Sequence, residues 1–253
     1  MSDIEQRGTG PALVFLHGAG VDKALWDPQM QALCDRFHCI ALDLPGHGNV
    51  PAVADVSAMA AHVHGRLQKH GIDRYAVVGL SLGGMVALDI AARWPEEVTH
   101  LVMIESVPNV TDNSALKFLA NAVVGLLKLI SPRLLAAMPA RQMGAISEDA
   151  GDYLKSALRR MTRHGNHAVM KAALSYDGRN HLPSLQMPTL IMVGEHNRQT
   201  HAGAQEMAAR IPGARFVTIP EAGHIANRDA PEFVSSAIRN FVLGASDHQI
   251  QKV

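Results

Sequence analysis

Short unbroken apolar runs alternate along this chain with stretches in which apolar residues recur every three or four positions. The runs predict strands at residues 12–16, 38–42, 75–78, 98–104, 189–193 and 215–219. The helical spacing predicts helices around 25–35, 82–93 and 202–210, and another carrying Val56, Met59, Ala60, Val63 and Leu67. A last helix has Phe233, Val234, Ala237, Ile238, Phe241 and Val242 on one face. The strand runs are continuous Val, Ile and Leu rather than alternating. They therefore predict burial on both faces, hence a mostly parallel α/β sheet with helices on either side. In such sheets ligands sit at the carboxyl ends of the strands.

The alternation stops between residues 108 and 182. Helical patterns follow one another there, at 115–130, 132–138, 148–163 and 167–174. The expected organisation is a core domain of residues 1–107 and 183–253, with residues 108–182 as a helical cap. Met138, Met143, Met161 and Met170 serve either packing within the cap or the lining of an apolar pocket. The most apolar stretch, 115–130, is interrupted by Lys117, Asn121 and Lys128, too often for a bilayer span. Residues 246–253 read as a frayed tail.

Composition narrows the function classes. The 253 residues allow one large domain with an insertion. Lys and Arg (23) balance Asp and Glu (23), which argues against a nucleic-acid partner. Cys34 and Cys39 read as ordinary buried thiols rather than a disulfide. Residues 1–10 are polar and carry no secretory pattern, so the expectation is a cytoplasmic protein without a membrane partner. No dinucleotide or P-loop fingerprint is present, so no cofactor is expected. The pairs His196/His201 and His62/His64 lack acidic partners at ligand spacing, so no metal is expected either.

Gly79-Leu80-Ser81-Leu82-Gly83 follows a predicted strand and opens a predicted helix. Small residues at 79 and 83 let the two elements close on each other, and the serine is thrust out on a strained turn. The helix start beneath it offers free N–H groups to a developing oxyanion. With Leu16-His17-Gly18, Asp43-Leu44-Pro45-Gly46-His47-Gly48 and Gly223-His224, this pattern resembles the α/β-hydrolase superfamily. The branch it resembles is the small capped one of esterases, enol-lactone hydrolases and carbon–carbon bond hydrolases. The resemblance runs over nearly the whole chain. It implies a cap inserted after the sixth strand of the fold. It also implies an oxyanion hole from the N–H groups of Ala19 and Leu82, and His224 as general base. His17 and His47 are expected to hold loops rather than to do chemistry.

The acid departs from the family pattern. Where the family carries Asp, the chain reads Gly194-Glu195-His196-Asn197. An amide can hold a histidine but cannot compensate an imidazolium. In serine proteases that exchange costs about 10⁴ in turnover. Three readings stay open. The acid has moved to Glu105, at the end of a neighbouring strand; or turnover is weak or lost; or position 197 carries a replacement made to trap a complex. The expected function is a serine hydrolase of a small, largely apolar ester or lactone. Its machinery is Ser81, His224 and Glu105, with Asn197 adding a hydrogen bond. Carbon–carbon bond hydrolysis of a ring-fission product, with Arg163, Arg179 or Arg198 holding a carboxylate, and a ligand-binding protein of this fold are the alternatives. A small-molecule substrate and a possible homodimer complete the expected partners.

Overall fold

In a computed structural model the described residues are 3–126 and 128–244, so the tail expected at 246–253 lies outside them. The strands are β1 (Ile4–Arg7), β2 (Ala12–Leu16), β3 (His38–Leu42), β4 (Tyr75–Leu80), β5 (Val98–Ile104), β6 (Thr189–Gly194) and β7 (Arg215–Ile219). They form one seven-stranded sheet in the order β1-β3-β2-β4-β5-β6-β7. All neighbours are parallel except β1, which runs antiparallel to β3. β1 is absent from the hydrophobic pattern for a physical reason. Its Ile-Glu-Gln-Arg sequence lies on the sheet edge, where one side needs no burial.

The central strand β4 is buried at every position, as its Tyr-Ala-Val-Val-Gly-Leu sequence requires. Alternate residues of each strand feed two separate cores. Val14 and Leu16 join α2 (Val56–Lys69), α3 (Leu82–Arg93) and α8 (Arg198–Arg210) on one face. Leu13 and Phe15 join α1 (Asp27–Leu33) and α10 (Pro231–Val242) on the other, where the short α9 (Ala226–Asp229) also packs.

Between β5 and β6 the chain is almost wholly helical: α4 (Ser114–Leu126), α5 (Pro132–Leu135), α6 (Glu148–Arg160) and α7 (Arg163–Ser175). β5 is the fifth strand of this chain, so it stands for the sixth in the count that the resemblance implies. α6 joins one core through Leu154, Ala157 and Leu158, and α7 joins the other through Val169 and Ala172. The insertion thus straddles the sheet. Cys39 is buried and Cys34 half-buried, and neither is in a disulfide.

Strand order reverses direction between β2 and β4. Their carboxyl ends meet at Leu16 and Gly79, directly below Ser81. A crevice at such a switch point is where this architecture places ligands.

Candidate active site

β4 ends at Leu80 and α3 begins at Leu82, so Ser81 alone makes the turn. It does so at φ 54° and ψ −117°, in a region that side-chain-bearing residues rarely enter. A Cβ on Gly79 would strike the backbone of Gly83, and one on Gly83 would strike the Leu16 carbonyl. Only glycine at both positions lets α3 sit this close to β2 and β4. The Ser81 N–H donates to the Ile104 carbonyl at 2.9 Å, and its own carbonyl accepts from Gly84 N–H and from Ser106 Oγ, both at 2.9 Å. The strained turn is therefore held from both sides.

The loop after β2 crosses above this serine. A Cβ on Gly18 would lie 3.4 Å from Ser81 Cβ. Two buried histidines pin the loop. His17 Nδ1 donates to the Gly18 carbonyl at 2.8 Å, and its Nε2 accepts the Leu44 N–H at 2.9 Å. His47 Nδ1 donates to the Leu44 carbonyl at 3.2 Å, and its Nε2 accepts the Gly20 N–H at 3.1 Å. These bonds require neutral rings, each with its proton on Nδ1. Burial agrees, pulling the pKa of His17 down to about 4 and that of His47 to about 3. Among the described residues no protein acceptor engages the N–H groups of Ala19 or Leu82. Both are left free to donate.

The carboxylate of Glu105 lies at the end of β5, its side chain fully out of solvent. Its backbone also takes a positive φ, 52°. Three donors converge on it: the Gly194 N–H, Asn197 Nδ2 at 2.6 Å and Thr200 Oγ1 at 2.5 Å. His224 Nδ1 lies 3.7 Å from Glu105 Oε2 and 3.0 Å from Asn197 Nδ2. The fold thus brings Glu105, Asn197 and His224 into one cluster. An ionised carboxylate only accepts, so it turns the NH₂ end of Asn197 toward itself and toward the imidazole. Among the described residues no hydrogen bond joins Ser81 to His224.

His224 is held from behind. Its N–H donates to the Gly144 carbonyl at 2.6 Å. A Cβ on Gly144, which has φ 91°, would press on His224 Cβ, so glycine is required there. The Asp229 carboxylate then ties the two loops together. It accepts the N–H groups of Ile146 (2.9 Å), Ser147 (2.8 Å) and Gly223 (2.9 Å). His224 also lines an open cavity of about 420 Å³ with Arg141, Met143, Asn197 and Arg198.

Four residues here escaped the sequence reading: Thr200, Asp229, Gly144 and Arg141. Thr200 and Asp229 carry faint local signals, three residues past Asn197 and five past His224. Gly144 and Arg141 meet His224 only through long-range packing. Of the three candidate arginines, Arg198 reaches this cavity. Arg179 pairs instead with Asp112 (2.5 Å) and Asp177 (2.6 Å), and Arg163 opens α7. The fold also gives His196 the acidic neighbours that its sequence spacing lacked. Ligand-type atoms of Glu195, His196 and Glu221 lie within 4.8 Å of one another, all on exposed residues.

Residues 13–237 match the alpha/beta hydrolase family, and with the switch-point serine in place the assignment is direct. The chain belongs to that family. It is 32% identical over 252 residues to the pimeloyl-[acyl-carrier protein] methyl ester esterase of Nitrosomonas europaea, covering 92% of this chain and 96% of that one. It is 28% identical to the 2-(acetamidomethylene)succinate hydrolase of Mesorhizobium japonicum, covering 95% and 91%. Its fold is similar to that of a thermophilic esterase from Thermogutta terrifontis, with TM-score 0.86, 27% identity and coverage of 95% and 92%. Membership of this family makes the chain a hydrolase.

Proposed function

We propose that this hydrolase cleaves a small, largely apolar carboxylic ester or lactone through an acyl-enzyme on Ser81. The observation that carries the reading is the strained Ser81 turn beneath two unengaged backbone N–H groups, Ala19 and Leu82. In the proposed cycle Ser81 Oγ attacks the carbonyl carbon, and His224 Nε2 takes the hydroxyl proton. The two N–H groups hold the resulting oxyanion, each worth about 2.7–4 kcal/mol of barrier in other enzymes. His224 then returns the proton to the leaving alcohol, and water attacks the acyl-enzyme by the same route in reverse.

Glu105 is the acid of this scheme. As a general base, His224 must carry its resting proton on Nδ1. An Asn197 N–H directed at Nδ1 favours the other tautomer. Glu105 Oε2, 3.7 Å from Nδ1, takes over as the histidine's partner when the Asn197 side chain turns aside. The substrate closes the remaining distance between Ser81 and His224, since catalytic hydrogen bonds often tighten only in the complex.

A second reading follows from Arg141 and Arg198. Both guanidinium groups lie on residues lining the His224 cavity, and neither has a carboxylate partner among the described residues. They favour a substrate with an anionic group, as in carbon–carbon bond hydrolysis of a ring-fission product. One relative is named for a succinate derivative, which is in keeping with that chemistry.

The test is a fluorophosphonate label combined with turnover of a chromogenic short-chain ester. The wild type should be labelled and active, and Ser81→Ala should lose both. An unlabelled, inactive wild type would leave a ligand-binding protein of this fold. An anionic ester turned over far faster than its neutral analogue would select the second reading.

A further inference from the structure

Among the described residues, every exposed large apolar side chain except Leu243 lies on the insertion between Val110 and Met170. The extremes are Phe118 at 79%, Leu129 at 75% and Leu134 at 66% exposed. α4 is their centre. It touches α7, and only Val124 along its length is buried. Leu116, Leu119 and Val123 face a groove of about 460 Å³ completed by Met170 and Leu174 of α7. Phe118 and Leu126 also stand in solvent. The helix is therefore apolar over most of its circumference, with Ser114, Lys117 and Asn121 gathered on the remaining arc. A broad apolar face bordered by cations suits the boundary between an apolar medium and water.

Charge decides what that medium is. From 113 to 147 the chain has no Asp or Glu, but it has Lys117, Lys128, Arg133 and Arg141. α7 beside it adds Arg163 and Lys171, again with no acid. Over 108–182 there are ten Lys and Arg against five Asp and Glu, so the rest of the neutral chain is correspondingly acidic. A two-fold pairing of this face with a second copy would set these cations against one another, and the nearby carboxylates of Asp112 and Asp177 are already paired with Arg179. An occupant both apolar and anionic removes that conflict. We infer that this face, α4 with the groove against α7, docks on an anionic lipid–water interface. Its apolar side chains enter the acyl boundary while Lys117 and Lys128 reach back to the headgroups. No described helix is long and apolar enough to cross a membrane, so the contact is interfacial. The proposal departs from the expectation of no membrane partner. The lysines that argue against a span are the residues that suit a surface.

The experiment is co-sedimentation of the full chain with vesicles of phosphatidylcholine alone or mixed equally with phosphatidylglycerol. Binding to the anionic vesicles is expected, falling at least about tenfold as salt rises from about 0.05 to about 0.5 M. Phe118→Glu with Leu129→Glu should lower it by a similar factor, and so should Lys117→Glu with Lys128→Glu. The thermal midpoint should stay unchanged in both, which separates lost docking from lost folding. Equal binding to the neutral vesicles, no sedimentation with either, or retained binding in both variants would overturn the proposal. So would a solution dimer abolished by Phe118→Glu, which would assign the face to a second copy.

Discussion

Two helices of the same insertion, α6 and α4, are built on opposite plans. α6 starts at Ser147, whose Oγ accepts the Ala150 N–H at 3.2 Å. It has acids in its first turn, bases in its last, and Ala150, Leu154, Ala157 and Leu158 buried. Its cap residue also donates a backbone N–H to Asp229, the carboxylate that steadies the loop of His224. α4 buries only Val124 and leaves Phe118 and Leu119 in solvent. One half of the insertion is fastened to the strand-end cluster; the other is joined to the molecule mainly through α7. An insertion can therefore divide its work, with one part completing the site from inside and the other facing outward.

The first way to press on this contrast is at the cluster that α6 supports. Glu105→Gln should lower ester turnover about 10²–10⁴-fold, because the amide cannot compensate an imidazolium. Asn197→Asp should change it less. Steady-state kinetics with a chromogenic ester will tell; the reverse order would mean that the acid belongs at 197. Next comes the tie itself. Asp229→Asn weakens three charge-assisted bonds and should cost about 1.5–3 kcal/mol of stability in urea melts. Turnover should fall as well, because the His224 loop loses its anchor. The smallest effects separate the two helices directly. Ser147→Ala should cost about 1 kcal/mol as a lost N-cap. Phe118→Ser should fall within about 0.5 kcal/mol of wild type, since an exposed side chain contributes little packing. A Phe118→Ser penalty larger than that of Ser147→Ala would erase the distinction.

Much of the scaffold was legible in the chain because burial on both faces writes continuous Val, Ile and Leu runs, as in β4 and β6. β1 was not, because an edge strand reading Ile-Glu-Gln-Arg carries no such run. Ser81 stood out because the turn demands glycine at 79 and 83, a local constraint. Glu105 could be proposed from its place at a strand end next to the one expected to carry the acid. Asn197 was named as a hydrogen-bonding partner in the site, but its grip on Glu105 together with Gly194 and Thr200 was hidden, since the three reach it across about ninety residues of chain. The Gly144 contact to His224 was equally hidden: a turn of the insertion meets a loop of the core only once both are folded. For α4 the chain predicts the helix but not its surroundings. Leu and Val at helical spacing carry no local mark of whether another layer covers them, and Leu116, Leu119, Val123 and Leu126 stay exposed.

Ser81, Glu105 and Glu221 are the non-glycine residues at positive φ among the described residues, and each leaves a parallel strand of the sheet. Backbone held this way costs of order 1–3 kcal/mol per residue. A typical domain keeps only about 5–15 kcal/mol in hand. A substantial part of the molecule's cohesion is therefore spent on aiming side chains along one rim of the sheet. Glycine at Ser81 or Glu105 would relax the chain while deleting the group being aimed, so in the proposed mechanism sturdiness and reactivity draw on the same two residues.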